Sequence, residues 1–386
     1  MFADRTDWNL APNALSQALG RHRQAGKQLF DLTASNPTEC GFQYDTASIL
    51  HALEQPQALR YQPDPSGLLT ARQAICEYYA GRGDDADAND ILLTAGTSEA
   101  YSFIFRLLCN PGDEFVIPSP SYPLFEFLAD IQDVKLVRYP FFYDHGWQID
   151  FHALEQAITP RTRGVIVVHP NNPTGHYTKA DEMRRLNTIC AKREIAIIAD
   201  EVFLDFSLAR ERQPSFATNR DALTFTMSGL SKISGLPQMK MAWLVVSGPD
   251  NVRRDALDRL EVIADTYLSV SAPIQLAASA FLDQRYGFQE QLMMRVRTNL
   301  ALLDAGLAWQ KTSSRLEVEG GWYVVLRIPA TRPDEELAIQ LLENDGVYVH
   351  PGSFFGFSAA GHLVVSLITK EAEFAEGTRR ILSRFG

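Results

Sequence analysis

From about residue 90 to residue 247, short apolar runs alternate with segments of helical length, and this alternation limits the possible folds more than any other feature. "DILLTAG" reads as a strand ending at Ala95-Gly96, and "TSEAYSFIFRLL" as a helix with apolar positions at helical spacing. "DEFVIPSP" reads as strand then turn, "YPLFEFLADI" as helix and "VKLVRYP" as strand. "RGVIVVHP" and "EIAIIAD" are continuous apolar runs bounded by turn residues, as expected of strands buried on both faces. Between them, "TKADEMRRLNTICAKR" reads as a helix with Thr178 at its N-cap and an acidic first turn. "ALTFTMS" and "MAWLVVSG" add two strands. The pattern predicts an α/β fold, with a mainly parallel sheet of the seven-stranded type covered by helices.

After about residue 250 the pattern changes. "DNVRRDALDRLEVIADTYLSV" reads as helix, and so does Ala272 to Leu303 with an interruption near Gly287. "GGWYVVLRIP" and "HLVVSLI" read as strands, and "KEAEFAEGTRRILSRF" as a closing amphipathic helix. This predicts a second, smaller α+β domain. The expected division is residues 1–45 as an N-terminal arm returning to the small domain, 46–275 as the large domain and 276–386 as the small one.

Composition narrows the function classes. With 46% hydrophobic residues the chain can bury a large core. A net charge of -11 argues against a sequence-independent nucleic-acid binder, which needs a basic footprint. No apolar run reaches the ~20 residues of a membrane span, and no apolar N-terminal region follows a basic start. Cys40, Cys76, Cys109 and Cys190 form neither a CxxC pair nor a dense framework, so reduced thiols in a cytoplasmic protein are expected. No GxGxxG follows the first strand, which argues against a dinucleotide-binding enzyme.

In an open α/β sheet, ligands sit beyond the carboxyl ends of the strands. The residues just after the expected strands are Gly96-Thr97-Ser98, Pro120-Ser121-Tyr122, Asn171-Asn172-Pro173, Asp200 and Ser228 to Lys232. Each has a plain structural reading. Thr97 and Ser98 could cap a helix, Tyr122 could be a core or turn residue, "NNPTG" is a turn signal, and Asp200 could cap the next helix. Together they offer an anion cradle at a helix N-terminus, an aromatic face, an amide, a carboxylate and a lysine in a small, apolar setting. "SGLSKISGLPQMK" also places Lys240 eight residues after Lys232.

Taken in order, "YQPDPSG", "GTSEA", "PSYP", "NNPTG", "ADEV" and "SK" with a second cation resemble fold-type I pyridoxal-phosphate enzymes, and within them the class I/II aminotransferase family. "HPGSFF" and "GTRRIL" are similar too, and the resemblance runs from about Leu32 to the C-terminus. It implies pyridoxal 5'-phosphate as cofactor and ping-pong amino-group transfer through its pyridoxamine form. Lys232 would be the Schiff-base lysine and proton carrier, Asp200 the partner of the ring nitrogen, Asn172 a donor to the ring's 3′-oxygen and Tyr122 the stacking ring. Gly96, Thr97, Ser98, Ser231 and Lys240 would hold the phosphate. Tyr61 would reach the phosphate of a neighbouring subunit, implying a homodimer with shared active sites.

Three positions depart from the family pattern. Lys240 stands where arginine is usual, giving charge without a bidentate fork, so phosphate binding is expected to survive. Phe203 stands where a tyrosine usually donates to the 3′-oxygen. Its absence should raise the pH at which the Schiff base loses its proton. Val364, in "GHLVVSL", occupies the place of the arginine that commonly fixes a substrate α-carboxylate. An unusual substrate is therefore expected, or another cation; His362 and Arg327 are near in sequence, and Ser35 falls where family backbone amides approach the substrate. A lyase or decarboxylase on the same scaffold is the alternative reaction, because fold does not fix chemistry. A regulator that only binds the cofactor is the weaker expectation: the chain is acidic, and no winged-helix-sized segment precedes the resemblance.

Overall fold

The computed structural model describes residues 1–209, 212–268 and 270–386. β1 (Phe30–Asp31) is a two-residue strand set apart from the main sheet. That sheet contains β2 (Ile91–Thr94), β3 (Glu114–Ser119), β4 (Lys135–Tyr143), β5 (Trp147–Ile149), β6 (Thr162–Val168), β7 (Ala196–Asp200), β8 (Thr224–Gly229) and β9 (Ala242–Ser247). The spatial order is β2-β9-β8-β7-β6-β3-β4-β5. The central pairs β4/β3, β3/β6, β6/β7 and β7/β8 are parallel. β9 runs antiparallel to both β8 and β2. Parallel neighbours need long crossovers, and the helices in those crossovers cover the sheet.

Burial follows the two-residue period of a strand. Phe115, Ile117, Ile166, Val168, Ile198, Phe225 and Leu244 pack on one face. Val116, Val165, Val167, Ile197 and Ala199 pack on the other. With both faces covered, the central strands carry no polar side, and this is why they read as unbroken apolar runs.

The sheet is the expected seven-stranded one extended by β5, a strand absent from the sequence reading. β5 has three residues and pairs antiparallel with the end of β4, too short to display an alternation. Two helix details also differ. The cap of helix Ala180–Arg193 is Lys179, where the Glu182 carboxylate accepts from the Lys179 amide, while Thr178 donates its amide to His169. The stretch after Ala272 breaks at Ala277 and Gln284, giving helices Ala272–Leu276, Ala278–Asp283 and Arg285–Leu307; Gly287 lies inside the last of these. A Cβ at Gly287 would meet nothing within 4 Å, so this glycine marks no close approach and no turn. Helix Asp250–Tyr267 matches its expected segment; Ser269, also read as helical, lies outside the described residues.

The C-terminal part contributes β10 (Ser314–Arg315), β11 (Tyr323–Arg327), β12 (Val347–Tyr348), β13 (His350–Pro351) and β14 (His362–Ser366). β10, β11, β14 and β13 form an antiparallel sheet in that order, while β12 pairs in parallel with β1. Leu15, Ala18 and Leu32 from the N-terminal arm share one apolar cluster with Val324, Leu363, Phe374 and Ile381. These N-terminal residues thus pack against the C-terminal strands and closing helix. Among the described residues no helix is long and apolar enough to cross a membrane, and all four cysteines are free thiols.

Candidate active site

A cavity of about 440 Å³ opens beyond the carboxyl ends of the central strands. Thr97 and Ser98 reach it from the segment after β2, Tyr122 from that after β3, Asn172 from that after β6, Asp200 from the end of β7, and Ser231 and Lys232 from that after β8. Ser35, Tyr323, His350, Phe354 and Phe355 close it from the arm and the C-terminal part.

Gly96 is the N-cap of helix Thr97–Leu108, so the Thr97 and Ser98 amides have no acceptor inside their helix. Their hydroxyls make no hydrogen bond among the described residues. The plain capping role therefore does not apply to either side chain. A Cβ built on Gly96 would sit 3.8 Å from Lys240 Nζ, which puts that ammonium beside the helix start. Lys240 has a left-handed backbone, φ 51°, directly after the turn Pro237–Met239. Such strain in a non-glycine residue needs the surrounding structure to hold it, and here it turns the side chain toward the helix N-terminus. Free amides, hydroxyls and a cation together suit a phosphate.

No helix follows Asp200, so it caps none. Its Oδ2 accepts from the Tyr101 hydroxyl at 3.2 Å and its Oδ1 from the Val202 amide at 3.3 Å. Burial pushes its carboxyl up to about 6, against the pull of these two donors and the Lys232 charge. Lys232 sits in the four-residue helix Leu230–Ile233. Burial lowers its amine to about 8, with Asp200 opposing. Its Nζ lies 4.9 Å from the Trp322 ring centroid and 5.8 Å from that of Phe203. The lysine is thus held among rings, with a neutral amine available nearer pH 8 than an ordinary lysine allows.

Asn172 has its side-chain Oδ1 buried without a hydrogen-bond partner. Tyr122 meets Phe125 edge-on at 5.8 Å and keeps a face toward the cavity. Phe203 lines the cavity and packs at 4.8 Å against Trp322, with no hydroxyl to donate. Val364 is fully buried among Trp147, Leu316, Val325 and Phe355, and does not reach the cavity. His362 stacks on Phe357 at 4.6 Å, and Arg327 lies against Tyr143 at 5.7 Å, so neither lines the cavity. Tyr61 is 79% exposed and does not line this chain's cavity.

The family model for aminotransferase class I and II matches residues 9–381. The chain belongs to this family. The glutamate-pyruvate aminotransferase AlaA of Escherichia coli K12 is 26% identical over 382 residues, covering 94% of each chain. The crystal structure of an aminotransferase from Escherichia coli superposes with TM-score 0.87 at 25% identity, covering 100% of this chain and 98% of the other. An alanine aminotransferase from Pyrococcus furiosus has the same fold, with TM-score 0.89 at 24% identity and 100% and 99% coverage.

Aminotransferases of this family use pyridoxal phosphate. The residues present fit it: the Thr97–Ser98 helix start with Lys240 suits its phosphate, the Asn172 side chain lining the cavity carries an NH2 able to donate to a ring oxygen, and buried Asp200 suits a cationic ring nitrogen. When bound, the cofactor supplies an aldehyde for a covalent amine link and a ring that accepts the electrons of a breaking bond. Phe203→Tyr should restore a donor at the ring oxygen. The pH at which the bound cofactor's absorbance changes is then expected to fall, and an unmoved transition would remove that role for position 203.

Several site residues were not read from the sequence. Tyr101 falls one helical turn after Thr97, and that spacing from the strand end was a usable signal. Trp322, Tyr323 and His350 come from the C-terminal part, and nothing local to them indicates the cavity.

Proposed function

We propose that the chain moves an amino group between an amine donor and a carbonyl acceptor in a ping-pong cycle, and that its preferred substrate carries no carboxylate beside the reacting carbon. The observation behind the second half is the cavity wall. Among the described residues lining it, Lys232 is the sole lysine or arginine, and Val364 lies covered behind Phe355. An unpaired carboxylate in a buried site costs several kcal/mol. The names of the curated relatives point to α-amino acids, but among the described residues lining the cavity no cation besides Lys232 stands to receive their carboxylate.

In this reading Lys232 carries the proton at the substrate carbon, Asp200 holds the ring nitrogen protonated, and Asn172 donates to the ring oxygen. Tyr122 lies against the ring, while Gly96, Thr97, Ser98, Ser231 and Lys240 surround the phosphate. The exposed Tyr61 serves the neighbouring subunit of a homodimer.

The test is a half-reaction screen that follows the cofactor's spectrum with L-alanine, L-glutamate, isopropylamine, phenethylamine and L-alaninol. Carboxylate-free amines should be favoured by about 100-fold or more, each tenfold being 1.4 kcal/mol. If wild type handles L-alanine or L-glutamate best, the substrate reading fails. Release of carbon dioxide or an eliminated group without the pyridoxamine form would instead indicate a lyase.

A further inference from the structure

His350 and Val364 are paired across β13 and β14. Directly paired residues project their side chains from one face of the sheet. Val364 is covered, whereas His350 reaches the cavity. Its ring lies 5.9 Å from Phe355, nearly perpendicular, and 6.2 Å from Tyr348, so aromatic neighbours fix its direction. Neither ring nitrogen makes a hydrogen bond among the described residues. The ring is half-buried, and its nitrogens, without a protein partner, are left open to the cavity, where a ligand can meet them.

The surrounding groups limit that ligand's chemistry. Burial lowers the His350 imidazole below its ordinary value, with the Asp31 charge opposing, so the ring is neutral near pH 7. A neutral imidazole has one donor and one acceptor. The Tyr323 phenol, kept protonated by burial, lies within reach of Ser35, and both line the same cavity. The rest of this side is Leu124, Phe125, Phe354 and Phe355. Neutral hydrogen-bonding groups in an apolar wall suit a hydroxyl, which both donates and accepts. They suit a carboxylate poorly, because it only accepts and brings a charge that none of these neutral groups offsets.

We propose that His350 is the specificity-determining residue of this site, hydrogen-bonding a hydroxyl next to the amine-bearing carbon, so that the substrate class is the neutral 1,2-amino alcohols. This rests on the aminotransferase reading and on Lys232 being the sole lysine or arginine among the described residues lining the cavity. The substrate's hydroxyl occupies the space beside His350 that Val364, behind Phe355, does not reach.

L-alaninol, isopropylamine and L-alanine differ only in carrying a hydroxymethyl, a methyl or a carboxylate, and they make the test. Binding of each to the protein loaded with pyridoxal phosphate is read as the concentration giving half the change in cofactor absorbance, which needs no turnover. Wild type should bind L-alaninol about tenfold more tightly than isopropylamine, the gain expected of one well-made buried hydrogen bond. His350→Ala should erase that preference by weakening L-alaninol far more than isopropylamine. His350→Gln, which keeps a donor and an acceptor, should restore part of it. Pyridoxal-phosphate affinity should be equal in all three proteins, which separates loss of an anchor from loss of the fold. The proposal is overturned if L-alanine is the amine bound best, or if the preference for L-alaninol survives His350→Ala. Failure of the pyridoxamine form to appear with any amine would sink the transfer reading separately, since the binding comparison stands without it.

Discussion

Lys232→Arg is expected to lower amino-group transfer on the order of 10⁴-fold, the upper end of what a positioned proton carrier contributes, with a further loss from the missing covalent link. At 1.36 kcal/mol per tenfold this is about 5 kcal/mol of barrier. The guanidinium stays protonated at all working pH values, so it can neither attack an aldehyde nor accept a proton. Lys232 can do both because burial brings its amine down to about 8. The folded amine therefore releases its proton before an ordinary lysine would. Covalent capture of pyridoxal phosphate should accordingly quicken as pH rises through about 8 and then level off. Two measurements check this: single-turnover rates for both proteins, and peptide mapping after borohydride treatment of wild type loaded with the aldehyde. The tag should fall on Lys232. A tag on Lys240 or elsewhere, or a Lys232→Arg protein with near-normal turnover, would refute the assignment and with it the chemistry built on this cavity.

Asp200→Asn should cost about 10²–10³-fold in the transfer step, the typical loss when a preorganised electrostatic partner of a developing charge is removed. It also carries a stability signature with a definite sign. Burial raises the Asp200 carboxyl from 3.8 to about 6 in the folded, cofactor-free protein. Between these values the folded chain holds the proton more tightly than the unfolded chain. Stability from this group is therefore full below 3.8, falls as pH rises through the window, and above about 6 the cost of a buried charge is complete. Removing the carboxylate removes that cost. Cofactor-free Asp200→Asn protein should melt above wild type at pH 7.5, with the gap closing toward pH 4. With pyridoxal phosphate added the order should reverse, because the cationic ring nitrogen then has a carboxylate to face only in wild type. Thermal melts at both pH values with and without the cofactor decide it. Equal gains from the cofactor in both proteins would separate Asp200 from the ring nitrogen.

The large-sheet side of the site was readable from the sequence because it is local. Thr97, Asn172, Asp200 and Lys232 each follow directly after an apolar run, and in a sheet of this type every such strand end points to the same edge. Identifying the runs was thus nearly the same as assembling the residues. The short β5 was not readable, since three residues show no period. The interruption expected near Gly287 falls at Gln284, and Gly287 itself stays helical because glycine weakens a helix by only about 1 kcal/mol, which neighbouring turns can absorb.

Sequence by itself determined the α/β class, the strand ends that meet at the cavity, and the family, all of which depend on residues close to one another along the chain or on motif order. Only the tertiary structure decided what closes the cavity from the C-terminal side. It brought Lys240 to Gly96, swung Tyr323 and His350 over the cavity, and buried Val364 behind Phe355. The physical reason is that these placements depend on how the antiparallel C-terminal strands pack against the arm and the cavity mouth. That packing is set by apolar surfaces distant in sequence, and no local pattern records which polar side chain will be left facing inward.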